Sequence, residues 1–115
     1  MNSDLELMIK IYGTCDVDWM GDEIKSPSNL TRHHIIKKED GGENEISNYA
    51  LLTNESHHLI HYLEDNNYKA YCLLNNMFLD LNRSSMPPTK EYFNNIRVII
   101  KKVKKEIKYN NRRGR

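Results

Sequence analysis

All five histidines of this 115-residue chain fall within one stretch, Leu30 to His61, which reads LTRHHIIKKEDGGENEISNYALLTNESHHLIH. No other part of the chain restricts the local fold as tightly. Leu30 to Ile36 carries β-branched residues on either side of two histidines and reads as a strand. Lys37 to Glu45 is a polar loop whose tip, Gly41-Gly42, supplies positive φ cheaply. Ile46 to Thr53 turns apolar again at Tyr49-Ala50-Leu51-Leu52, as expected of a second strand antiparallel to the first. Thr53 or Asn54 then caps a helix running to about Asp65.

These elements sort the histidines. Successive side chains on a strand point to opposite faces, so His33 and His34 face apart. On a helix turning about 100° per residue, His57 and His61 lie about 40° apart, with Leu59 and Leu63 nearly opposite them. His58 lies about 100° from His57 and points elsewhere. Two imidazoles at i and i+4 can share one ion. A third nitrogen from the His33 region would complete a three-histidine site with positions open to water and substrate. Pairs at this spacing also occur on helices that bind nothing, so the spacing alone leaves both readings open.

The rest of the chain reads as support, and its length is that of a single domain, 1–115. Ser3 to Tyr12 has a helical apolar stripe (Leu5, Met8, Ile9, Tyr12) stopped by Gly13. Cys15 to Asn29 is a turn-rich connector pinned by Trp19 and Met20, and its acids, Asp16, Asp18, Asp22 and Glu23, read as exposed loop carboxylates. Tyr68 to Asn82 is a helix with a stripe at Tyr71, Leu74, Phe78 and Leu81, supported by Leu73 and Met77. Pro87-Pro88 forbids its continuation. Thr89 caps a last helix with a stripe at Tyr92, Ile96, Ile99, Val103 and Ile107, and YNNRRGR reads as a frayed basic tail. Cys15 and Cys72 are far apart and in no C-x-x-C pair, which gives neither a disulfide framework nor a cysteine zinc knuckle. No run of apolar residues is long enough for a transmembrane helix. The start, MNSDLELMIKIYG, lacks the features of a signal peptide, so the cytoplasm is the expected setting.

Charge is divided along the chain. Residues 1–88 carry 7 basic and 14 acidic groups, a balance of −7, whereas residues 89–115 carry 10 basic and 2 acidic, a balance of +8. A basic segment on an acidic domain is a footprint for a polyanion or, equally simply, the solvated face of a lysine-rich helix. Lys101 and Lys105 are the candidates on that helix for touching nucleic acid. Near the histidines, Arg32, Lys37 and Lys38 could hold phosphates, or be an ordinary strand-edge arginine and solvated loop lysines.

As an ordered set, the stretch resembles the ββα-metal motif of the HNH endonucleases: His33-His34 on a strand, Gly41-Gly42 in the loop, Asn48 opening the second strand, and His57-x-x-x-His61 on the helix. The intervals are 14 residues from His34 to Asn48, nine to His57 and four to His61, and the matching stretch is about a quarter of the chain. The resemblance implies an α+β fold. Its core would be a two-stranded antiparallel hairpin and a helix over about residues 30–65. An N-terminal helix, two C-terminal helices over 68–110 and a basic tail at 111–115 would complete it. It further implies that His33, His57 and His61 bind one divalent metal ion, that His34 is the general base, and that Asn48 orients His34 or, as in some members, lies close to the metal. The implied activity is hydrolysis of phosphodiester bonds, with DNA (RNA is possible) as partner and no membrane, in the cytoplasm of a bacterial or phage-infected cell. Three imidazoles suit Zn or Ni by affinity, while Mg or Mn often supports turnover in the family. Two departures stand out. The cysteine pairs that many relatives use for a structural zinc are missing, so packing must hold the core, and Ser56 stands where relatives often have cysteine. The alternative is an HNH-fold protein that binds or inhibits a nucleic-acid-processing complex without cutting; such a protein would need neither His34 nor Asn48.

Overall fold

Strand β1, Leu30–His34, pairs antiparallel with β2, Tyr49–Thr53, in the register Leu30↔Thr53 through His34↔Tyr49. The computed structural model describes residues 16–84 and 86–113, so the helix expected over Ser3 to Tyr12 lies outside the described residues. Three helices follow the hairpin: α1, Asn54–Asn66; α2, Tyr68–Ser84; and α3, Lys90–Arg113. Among the described residues the architecture is therefore a small α+β fold with a two-stranded hairpin and three helices. Among the described residues, no helix is long and apolar enough to cross a membrane.

Each strand is shorter than its apolar run. β1 ends at His34 because the chain turns away at Ile35 and Ile36, where Ile36 is exposed. Residues Ile46–Asn48 form a short 3₁₀ turn before β2 begins. All five residues of β2 are buried, so both of its faces are covered, whereas in β1 only Leu30 and His33 are buried. The loop between the strands needs both of its glycines, for different reasons. Gly41 sits at φ 91°, while a Cβ on Gly42 would lie 1.8 Å from the Ile36 carbonyl oxygen.

Thr53 closes β2 and caps α1, its Oγ1 accepting from the Ser56 amide. Ile60 and Leu63 of α1, Leu74 and Phe78 of α2, and Leu52 of β2 are almost wholly buried, and each stabilises the fold by about 1.5–3 kcal/mol. Ile96 and Val103 bring α3 onto this core. Leu73, expected to support the α2 stripe, is 47% exposed, because its position falls outside the stripe facing the hairpin. The expected frayed tail is helical through Arg113: no breaker occurs before Gly114, and basic residues suit the negative end of a helix.

The connector carries the largest departure. Asp18 is buried, not an exposed loop acid. Its carboxylate accepts from the amides of Met20, Asp22 and Thr53 at 2.8–2.9 Å. Burial nevertheless pushes its pKa up, outweighing the hydrogen bonds, which include one from Ser56. Trp19 donates its amide to Leu51 O at 3.2 Å, which lays the connector along β2.

Candidate metal centre

Strand alternation turns His33 inward, where it is 2% exposed. Its Nε2–H donates to Asn75 Oδ1 of α2 at 2.8 Å, and Asn75 also hydrogen-bonds the Tyr71 side chain. Burial holds the imidazole neutral, with its pKa pushed down to about 4, so it keeps a lone pair on Nδ1 at neutral pH.

His57 and His61 come from one face of α1. Thr31 Oγ1 lies 2.7 Å from His57 Nδ1 and itself donates to Leu52 O. The hydroxyl proton is thus committed, so His57 Nδ1 must carry the hydrogen and Nε2 the lone pair. Burial first, then the nearby charges of His61 and His34, lower the His57 pKa. His61 turns its Nδ1 toward Glu64 Oε1 at 3.5 Å. Glu64 in turn forms an ion pair with Lys37.

The three rings converge. His57 Nε2 and His61 Nε2 are 3.0 Å apart, and one nitrogen from each of His33, His57 and His61 lies within 4.8 Å of the others. The ring of His33 meets those of His57 and His61 edge-on at 5.5 and 5.8 Å between centroids. Two nitrogens bound to one cation at about 2.0–2.1 Å would have a comparable separation. Each ring also has an acceptor beside the nitrogen that faces away from the shared centre: Asn75, Thr31 and Glu64. Metal-ligating histidines characteristically have such outer partners. The residues present therefore fit a divalent ion held by three neutral nitrogens.

The centre opens on a groove of about 560 Å³ whose rim includes Arg32, His34, Lys38 and Glu39. His34 is half-buried on the opposite face of β1, its ring edge-on to Tyr49 at 5.2 Å between centroids. It is close enough that a charge on it would disfavour charge on His33 and His57. His58 is exposed and stands apart from the cluster, as its helical offset requires.

One expected contact falls differently. The hydrogen bond expected from Asn48 to His34 is made by Asn44, whose Oδ1 lies 2.8 Å from His34 Nε2. Asn48 is buried and uses its amide on the backbone: Oδ1 accepts from Ile36 N, and Nδ2 donates to Ile36 O and Glu43 O. It therefore staples the loop, fixing the residues beside His34 and Asn44 rather than the ring itself. Lys37 is paired within the fold while its side chain stays 35% exposed. Its ammonium is engaged by Glu64 and lies 3.4 Å from Glu39 Oε1. Lys101 and Lys105 are exposed on α3 but are not on the histidine groove; Lys101 borders a second groove with Arg97, Lys104 and Phe93. Arg32 is on the groove, with its guanidinium 5.6 Å from the centre of the Tyr49 ring.

Thr31, Asn44, Glu64 and Asn75 went unread in the sequence. Two had local signals: Thr31 shares a strand face with His33 by period two, and Glu64 follows His61 by one helical turn. Asn75 is a polar residue next to the apolar stripe of α2, which signals only that a partner is needed. Nothing in the loop distinguishes Asn44. Compared with family models, curated proteins and solved structures, the chain matches none.

Proposed function

We propose that this chain is a metal-dependent endonuclease that hydrolyses phosphodiester bonds in nucleic acid, with DNA as the favoured substrate. The observation that carries the reading is the convergence of three imidazole nitrogens, each ring backed by an acceptor, on a groove that also presents His34. His33, His57 and His61 would hold the ion. When bound, a divalent cation polarises the phosphate and offsets the charge that develops on the leaving oxygen.

His34 supplies the proton transfer. Its Nε2–H is spent on Asn44 Oδ1, which leaves the Nδ1 lone pair as the base. Water attacks phosphorus and gives its proton to His34 Nδ1, the bond from phosphorus to the 3′ oxygen breaks, and the departing oxygen takes a proton from solvent, leaving a 5′-phosphate and a 3′-hydroxyl. Arg32 lies two residues from His34 on the same strand face, where its guanidinium can clamp a phosphate by two hydrogen bonds. The absence of cysteine pairs fits a core held by packing, as described for the hairpin and α1.

The test is cleavage of supercoiled plasmid in the presence of Mg²⁺, Mn²⁺, Ni²⁺ or Zn²⁺, with EDTA and His57→Ala as controls. Nicked circles should form with at least one metal and disappear in both controls. No cutting with any metal overturns the enzyme reading.

A further inference from the structure

We propose that Glu64 is a positioning residue for His61. Its carboxylate, anchored by Lys37, orients the imidazole so that Nε2 faces the shared centre and, once an ion takes the Nε2 lone pair, accepts the hydrogen then carried by Nδ1. The inference rests on the metal-binding part of the reading above.

The three imidazoles are not equally supported. His33 is walled in by α2 and held by Asn75; His57 is half-buried and held by Thr31, whose hydroxyl is tied to β2. The His61 side chain is 54% exposed, so packing does little to fix its ring. Glu64 has the opposite character, with a side chain only 18% exposed although it carries a charge. One helical turn separates the two, which places the carboxylate beside His61 Nδ1. Lys37, just beyond β1, holds the other carboxylate oxygen and so joins the strand end to α1.

This gives Glu64 two effects. Without an ion, His57 Nε2 bears a lone pair 3.0 Å from His61 Nε2, so His61 Nε2 carries the hydrogen. When an ion takes Nε2, an acceptor beside Nδ1 stabilises the hydrogen there, and a charged acceptor makes Nε2 a stronger donor than a neutral one would. The ammonium of Lys37 keeps the carboxylate on the outer side of His61. Among the three acceptors only Glu64 is charged, and it serves the one imidazole that lacks a buried wall.

The test is Zn²⁺ titration of the whole chain against a chromophoric competitor, with E64A, E64Q, K37A and H57A variants. Long-range ¹H–¹⁵N spectra of the Zn²⁺-loaded imidazoles form a second readout. E64A should weaken Zn²⁺ binding by about 10–100-fold. E64Q should recover most of that loss, because its amide oxygen still accepts from Nδ1–H, and K37A should lose less than E64A. In the Zn²⁺-loaded spectra the His61 Nδ1–H should be protected from solvent exchange in wild type and E64Q, and should exchange faster in E64A. Wild-type affinity and an unchanged His61 Nδ1–H in E64A overturn the role of Glu64 while leaving the metal site intact. No Zn²⁺ binding by wild type, or equal binding by H57A, overturns the metal site and this inference with it. If E64A fails to fold, K37A decides: wild-type affinity and an unchanged His61 Nδ1–H there overturn the inference.

Discussion

His33 and His34 are neighbours on one strand with opposite surroundings. The inner face of β1 buries His33 against Asn75 and Phe78, with burial holding it neutral. The outer face leaves His34 half-buried, against Tyr49 and tethered to a loop residue, Asn44. One residue step thus separates a ring fixed in the fold from a ring that borders the groove. Strand alternation alone produces this difference. It also predicts different costs of removal: stability and metal binding on the inner face, chemistry on the outer.

The sharpest break between the faces should be in stability. His33→Ala leaves a cavity and removes the donor to the buried Asn75 oxygen, so the metal-free protein should lose about 3 kcal/mol or more in urea unfolding. His34→Ala should change it by less than about 1 kcal/mol. A similar loss from both would erase the distinction.

Acid should act through the inner face. The folded pKa of His33, about 4, is below its ordinary value of 6.5. Between those values the unfolded imidazole takes a proton that the folded one refuses. The stability of the metal-free protein is therefore full above pH 6.5 and falls as pH drops toward 4, by up to about 3 kcal/mol from this group. His57 shifts in the same direction for the same main reason, burial. Urea unfolding across pH 7 to 4 should show the decline, flattened in His33→Ala; a pH-independent wild type would contradict the neutral buried imidazole.

Smaller effects distinguish the two asparagines of the loop. Asn44→Ala should slow plasmid nicking by about tenfold with Zn²⁺ affinity unchanged, since it frees only the His34 ring. Asn48→Ala removes three partly buried side-chain hydrogen bonds to the backbone and should cost about 2 kcal/mol of stability along with activity. The smallest change is expected away from the centre. Replacing Lys101 and Lys105 by serine should weaken DNA binding at low salt and reduce the slope of log K against log salt by about 2, with nicking of bound DNA preserved. Unchanged binding would make α3 a solvated face.

Local pattern in the sequence carried the framework of the site but not its partners. Period two set the faces of His33 and His34, helical spacing paired His57 with His61 and excluded His58, and the Thr53-Asn54 pair announced the start of α1 without deciding which of the two caps it. Each of these depends only on neighbours within a turn or a strand. Asn75, by contrast, meets His33 across 42 residues. Asp18 reaches Thr53 across 35 and looks like any loop acid until β2 is laid beside it. Lys37 looks like a solvated loop lysine until Glu64 rises on α1 to meet it. The choice between Asn44 and Asn48 as the partner of His34 is decided by how tightly Gly42 folds the loop onto Ile36, a tertiary fact.

The central claim, that one face of β1 holds the ion while the other moves the proton, is tested most directly by His34→Ala, with nicking rate and metal affinity measured on the same preparation. The account predicts a metal Kd within about twofold of wild type and a nicking rate reduced at least about 100-fold. A His34→Ala protein that nicks at the wild-type rate, or that loses its metal along with its activity, would contradict it.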